Sequence, residues 1–252
     1  MGGRGASAGL KSGSQTAVTQ TQRNAPAQKT AKTIDNISDL RTYAKDSLGI
    51  ELGKSLDTVD YGLVQQAVSD YEFLKSEFPQ WDGTVTKLQA RQLGKYVNAQ
   101  TDGKKITLSQ QMYSDPTKFA NEVAAAESRH YYPKGTTNIT TAVHEMGHTF
   151  EQAMIDKVMP DDGTALRRYD RIVAWNNGVY SKKIISEAAK NAKKTPDGKG
   201  KLNNQLISDV SRYATTKSSE TLAECVRDYY INRQNANPLS REVWKILKRE
   251  FG

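Results

Sequence analysis

Apolar positions first fall into a regular pattern near Ile34. From Asn36 to Leu48 they predict a short helix that Gly49 ends. Asp57 to Phe78 predicts a longer one: Val59, Leu63, Val64, Ala67, Tyr71 and Leu74 recur at helical spacing, and Pro79 stops the run. The period then shortens. Thr84-Val85-Thr86, Lys95-Tyr96-Val97 and Lys105-Ile106-Thr107-Leu108 read as short strands, with Asp102-Gly103 as a turn. Helical spacing returns from Pro116 to about Ser128. It resumes from Thr140 to about Lys157, where Val143, Met146, Phe150, Ala153 and Met154 make a core-type stripe behind Thr140 and Thr141 as caps. Residues 164–191, 203–212, 218–233 and 239–250 also read as helical. Helices, a small sheet and more helices predict one α+β domain over residues 34–252, mostly helical.

The segment before it is different. Residues 1–33 carry five of the eight net positive charges and no acid, in a background of Gly, Ala, Ser, Thr and Gln. Such a segment buries too little apolar surface to offset its ordering entropy, so it reads as a disordered basic arm. Two roles stay open for it: a solubilising tail, or a docking element for nucleic acid. A second basic stretch, Lys190 to Lys201, contains the turn Pro196-Asp197-Gly198 and no aromatic residue for stacking bases. It reads as a loop between helices.

Composition narrows the class. The 252 residues include one cysteine, Cys225, so an internal disulfide and a cysteine-based zinc cluster are excluded. At a core-type helical position, Cys225 reads as a buried, inert thiol. No stretch approaches the ~20 apolar residues that cross a bilayer, and MGGRGASAGLKSG lacks the apolar run of a secretory signal. The expectation is no membrane association and a location in the cytoplasm of a host cell or in a virion.

The candidate chemistry lies in the histidines. There are three, and two of them frame His144-Glu145-Met146-Gly147-His148, an H-E-x-x-H run inside the helix from Thr140. Residues i and i+4 share a helix face, so both imidazoles can reach one ion, with Glu145 beside them to accept a proton from an attacking water. Nitrogen and oxygen ligands with a fourth position open suit Zn2+. The third histidine, His130, lies in Ser128-Arg129-His130-Tyr131-Tyr132-Pro133 and is either a structural residue of a turn or part of a cleft wall.

The third ligand is not adjacent. An H-E-x-x-H-x-x-G-x-x-H continuation fails, because Glu151 and Met154 occupy its glycine and final histidine positions. The window Thr164–Trp175 holds no glutamate. Gly163 to Tyr169 echoes G-T-x-D-x-x-Y, but Leu166 stands at the aspartate position. Further on, Glu220 and Glu224 lie one turn apart in an otherwise apolar helix, opposite a core-like stripe of Leu222, Cys225, Val226 and Tyr229.

Together these residues carry a resemblance. H-E-x-x-H at 144–148, Tyr213-Ala214, and E-x-x-A-E at 220–224, with the tyrosine seven residues before the first glutamate, resemble the catalytic domain of anthrax lethal factor and the Pro-Pro endopeptidases. These are zinc metallopeptidases of the glutamate-ligand (gluzincin) type. The likeness spans about residues 100–232. It implies a zincin-like metallopeptidase fold. His144, His148 and Glu220 would hold zinc, and Glu145 would be general base and then proton donor to the leaving amine. Tyr213 would donate to the oxyanion, and Glu224 would orient a ligand histidine. The strand Lys105–Leu108 would be the sheet edge above the cleft, pairing with an extended protein or peptide substrate. Read without the resemblance, Tyr213 is simply a buried aromatic residue.

The Gly-Arg-rich opening also resembles the start of some phage and prophage head-associated proteins. That likeness implies phage head components as partners. It supports an alternative function, a virion-associated structural or interaction protein on a catalytically dead zincin-like scaffold. The lethal factor resemblance also admits a toxin-like effector acting on a host protein.

Overall fold

Local chemistry sets each helix boundary. The structure, a computed structural model, describes residues 30–252. Helix α1 (Ile37–Tyr43) starts where the Asn36 side chain accepts the Asp39 N–H, and continues as a π-helical turn to Leu48. Gly49 then reverses the chain at φ +75°, where a Cβ would be strained. Asp60 caps α2 (Tyr61–Glu77) by accepting from the Leu63 N–H at 3.0 Å. Pro79 follows its end.

The arm boundary predicted at residue 33 lies too far along. Ala31 is fully buried, its N–H donates to Glu72 of α2 at 3.0 Å, and Gln65 donates to the Ile34 carbonyl at 2.6 Å. Residues 30–33 therefore belong to the folded part, while the arm expected over the preceding residues lies outside the described ones. A four-residue context rich in small polar side chains masked one buried alanine.

The sheet has four strands: β1 (Glu51–Leu52), β2 (Lys87–Arg91), β3 (Ala99–Thr101) and β4 (Lys105–Ser109), in the order β1-β2-β4-β3. The first three in that order are parallel, and β3 runs antiparallel to β4. Two strand predictions are corrected. Thr84–Thr86 is an approach segment to β2, and Lys95–Val97 is a turn before β3. Tyr96 is 83% exposed, so its alternation with polar neighbours marks no buried face. The Asp102-Gly103 turn is as expected: the Asp102 carboxylate accepts from the N–H groups of Lys104 and Lys105, and Gly103 takes φ +93°. Lys105–Leu108 is a strand, but an interior one. The edges are β1 and β3, and it is β3 that lies beside the cleft.

After the short α3 (Gln110–Tyr113) and α4 (Pro116–Glu127) comes α5 (Thr141–Val158), buried on almost every side. Its apolar back packs into an aromatic core. Phe150 stacks on Trp81 at 5.2 Å and meets Phe78 edge-on at 5.0 Å, while the Trp81 indole N–H donates to Thr149 at 2.9 Å. The stretch 164–191, predicted as one helix, is two: α6 (Ala165–Asn177) and α7 (Val179–Ala192), separated by Gly178 at φ +55°. The loop carrying the second basic stretch joins α7 to α8 (Asn203–Ser208), and α9 (Ser218–Asn232) and α10 (Pro238–Phe251) complete the domain. Helix dominates, with a small mixed sheet, as the α+β reading expected. No helix among the described residues is long and apolar enough to cross a membrane.

Asp70 of α2 makes a pH-dependent contribution to stability. It is fully buried, accepts from Tyr230 and Gln66, and its Oδ2 has no partner. Burial raises its pKa from 3.8 to about 7, against the opposing hydrogen bonds. Between those values the folded state holds a proton that the unfolded chain releases. Stability therefore falls as pH rises through the window, by about 4 kcal/mol at most. Asp70→Asn should melt higher than wild type near pH 8, with the difference closing near pH 4 in a thermal-unfolding series.

Candidate metal centre

Helix α5 presents His144, Glu145 and His148, and α9 presents Glu220 and Glu224. The two helices cross closely because both surfaces are small at the contact. A Cβ built on Gly147 would lie 2.7 Å from the Ala223 Cα. Gly147 of the H-E-x-x-H run and the alanine of E-x-x-A-E are thus the two sides of one crossing. Gly147→Ala should lower stability by about 1–3 kcal/mol through overpacking, despite alanine's better helix propensity. The same displacement should weaken metal binding, readable by zinc titration alongside a melt.

The crossing brings three ligand atoms together. Nε2 of His144, Nε2 of His148 and Oε2 of Glu220 are each 3.1 Å from the other two. Glu224, with no side-chain exposure, lies 2.6 Å from His144 Nδ1 through Oε1. Its other oxygen accepts from the Ser211 hydroxyl at 2.9 Å. Burial alone would raise the Glu224 pKa, but buried Arg227 and His144 hold it below the usual carboxylate range. A carboxylate has no proton to give, so His144 Nδ1 donates to it and Nε2 is the ring nitrogen turned toward Glu220 and His148. Two imidazole Nε2 atoms and a carboxylate oxygen converge on one point. Glu220 is likewise depressed, as the two imidazoles outweigh its burial. Burial would lower the His144 pKa, yet Glu220 and Glu224 together lift it to about 9. The site thus draws a positive charge into its centre.

That arrangement fits a tetrahedral ion. Bonds of about 2.0–2.1 Å from one centre place neighbouring ligand atoms about 3.3–3.4 Å apart, close to the spacing found here. One residue group among the described residues meets the geometric requirement for a metal site, and it is His144, His148 and Glu220.

Tyr213 joins from a separate segment. It opens a 3-10 turn, Tyr213–Thr215, before α9. Backbone hydrogen bonds from Arg212 and Tyr213 to the carbonyls of His130 and Tyr131 hold that turn. The Thr221 hydroxyl ties it to α9 by donating to the Ala214 carbonyl at 2.7 Å. The Tyr213 ring stacks on His144 at 5.5 Å and on Tyr131 at 5.3 Å. Burial, then the charges of Glu220 and Glu145, push its pKa well above the usual phenol value, so it stays a donor.

All six candidate residues from the sequence meet here: His144, Glu145, His148, Tyr213 and Glu220 line one cleft of about 410 Å³, and Glu224 backs His144. Comparison with family models, with curated proteins and with solved structures finds no match. The site therefore stands on its own geometry.

Three other residues take settled places. His130 sits exposed in a turn at φ +55°, bonded to the Ser208 carbonyl, and does not line the cleft. Cys225 is buried, and burial pushes its thiol pKa up, which suits an inert core residue. Leu166, in the G-T-x-D echo, is 71% exposed and away from the cleft.

The structure adds two residues that the sequence did not single out as functional. Buried Glu151 accepts from the Tyr180 N–H at 2.9 Å and from the Ser181 hydroxyl at 2.6 Å, capping α7 beside the cleft. Arg227, 2% exposed, pairs with Glu224. A charged residue three positions after a glutamate on a helix looks like a solvated i,i+3 pair, and only the fold shows it is buried.

Proposed function

We propose that the chain is a zinc-dependent endopeptidase. The observation that carries the proposal is the three-atom cluster of His144, His148 and Glu220 with Glu145 and Tyr213 in the same cleft. Zinc bound there would supply Lewis acidity and a strong field at the fourth, open position.

The protein groups divide the remaining work. Glu145 takes a proton from the attacking water and returns it to the nitrogen of the leaving amine. The Tyr213 hydroxyl donates to the oxygen on which negative charge grows in the tetrahedral intermediate. Glu224 keeps His144 in the tautomer whose Nε2 faces the centre. Strand β3 supports an extended substrate. It is an edge strand of the sheet, and Ala99, Gln100 and Thr101 line the cleft. β3 therefore takes the role expected of Lys105–Leu108.

The test is hydrolysis of a peptide library by the zinc-loaded protein. Activity should vanish with a chelator and return with zinc. A fully loaded protein that cleaves nothing would overturn the proposal. Tyr213→Phe should cut kcat by about 10²-fold with zinc content unchanged, measured by steady-state kinetics and metal analysis. The alternative of a dead scaffold gives no reason for an acid base beside a complete ligand set. The phage-like opening that motivated it lies outside the described residues.

A further inference from the structure

Four cavities run end to end past β3. The cleft, about 410 Å³, shares Ala99, Glu145 and Tyr213 with a smaller space of about 150 Å³. That space shares Tyr96, Asn98, Tyr131 and Tyr132 with a third, of about 450 Å³, beside α4. At the opposite end Trp175 lines both the cleft and a fourth, of about 480 Å³, between the Asp102-Gly103 turn and α6. The four make one groove, with the candidate metal centre in its middle part.

Charge alternates along this groove. The middle holds the carboxylates of Glu145, Glu151 and Glu220. Lys95, Lys118 and Arg129 line the α4 end, all exposed, with Glu122 the only acid in that lining. Lys104, Lys105, Arg168 and Arg171 line the other end, with Asp102 the only acid. Arg171 is held by Asp156, and Arg168 stands 3.9 Å from Asp161. With both of those acids counted, that end keeps a surplus of one positive charge, and the α4 end a surplus of two. Among the described residues, none of Lys95, Lys104, Lys105, Lys118 and Arg129 is in an ion pair.

We infer that the groove takes an extended peptide with acidic side chains on both flanks of the cleaved bond, about three to five residues from it. The inference rests on the peptidase reading. Ala99 and Glu145 line both middle cavities, which puts the reacting bond close to Ala99. Lys95 comes four residues before Ala99 and Lys104 five after it. An extended partner advances residue for residue along a strand, so its side chains reach the basic ends at similar counts. Because both ends are basic, the expectation holds whichever way the substrate runs. The carboxylates in the middle repel a continuous polyanion such as a nucleic acid. A peptide can instead carry its acids at the flanks and a neutral core between them. Each exposed pair is weak alone, and the preference comes from several acting together.

The test compares peptide pools that share one randomised core and are flanked on both sides by glutamate, glutamine or lysine. The zinc-loaded full chain should cleave the glutamate-flanked pool with kcat/KM about tenfold above the glutamine-flanked one, and high salt should shrink that gain. The double variant Lys104→Gln, Lys105→Gln should lose the gain for peptides acidic on one flank, and Lys118→Gln, Arg129→Gln for those acidic on the other. All four side chains are exposed, and zinc per chain with a melt checks that each variant is folded. Equal cleavage of the pools, a preference for lysine flanks, or a gain that survives both double variants would overturn the inference and leave the peptidase standing. If no pool is cleaved, the peptidase reading fails, and binding of fluorescent glutamate- and glutamine-flanked peptides to the zinc-loaded Glu145→Gln protein decides the groove separately. Tighter binding of the glutamate form, lost in the double variants, would support it, and equal binding would overturn it.

Discussion

Glu145→Gln should lower peptide turnover by about 10²–10⁴-fold and leave one zinc per chain in place. Glutamine keeps the size of the side chain, which is buried on α5 and makes up part of the cleft wall. It cannot take a proton. The ligand atoms on His144, His148 and Glu220 are untouched by the change, so metal content separates lost chemistry from a lost site. Because the proposed mechanism uses Glu145 twice, on the water and on the leaving nitrogen, kcat should fall with little effect on KM. Metal analysis of both proteins, with kinetics on one cleaved peptide, checks this. Undiminished turnover in the variant would remove the mechanism.

Glu220→Ala should abolish stoichiometric zinc binding, whereas Glu187→Ala should retain it. Glu220 supplies the only carboxylate oxygen in the cluster and joins α9 to α5 there. Glu187 lies on α7 in an ion pair with Arg249, so its loss removes an acid without touching the cleft. Glu224→Gln should be intermediate, weakening zinc about 10–100-fold, since it alters the orientation and basicity of His144 but removes no ligand. Stability should follow occupancy. With free zinc at 100 times its Kd, the wild type gains about 2.7 kcal/mol. That is a rise in Tm of roughly 5–10 °C for a domain of this size. The Glu220 variant should show no such rise. Zinc per chain by elemental analysis, with melts at graded zinc, tests both statements.

The clearest signals in the sequence were local. His144 and His148 share a face because any α-helix puts i and i+4 together, whatever surrounds it. Helix ends marked by Asn36, Gly49 and Pro79 follow from backbone chemistry within a few residues, and the structure keeps them. Strands were read less well: Lys95–Val97 alternates like a strand but pairs with nothing, because pairing depends on distant partners.

The site itself was only partly local. Glu220 and Glu224 could be recognised as a ligand-type pair within a resemblance. Their meeting with His144, 76 and 80 residues away, depends on the Gly147–Ala223 crossing. Sheet order is likewise non-local, and it put β3, not β4, at the edge beside the cleft. Burial of Arg227 and Glu151 was hidden because a charged residue's sequence neighbours do not reveal how many other elements pack over it. The sequence by itself determined the chemical groups and their spacing along each helix, since those depend on backbone geometry alone. The tertiary structure decided which helices touch, which strand is exposed and which charges lose their water, because those follow from packing between residues far apart in the chain.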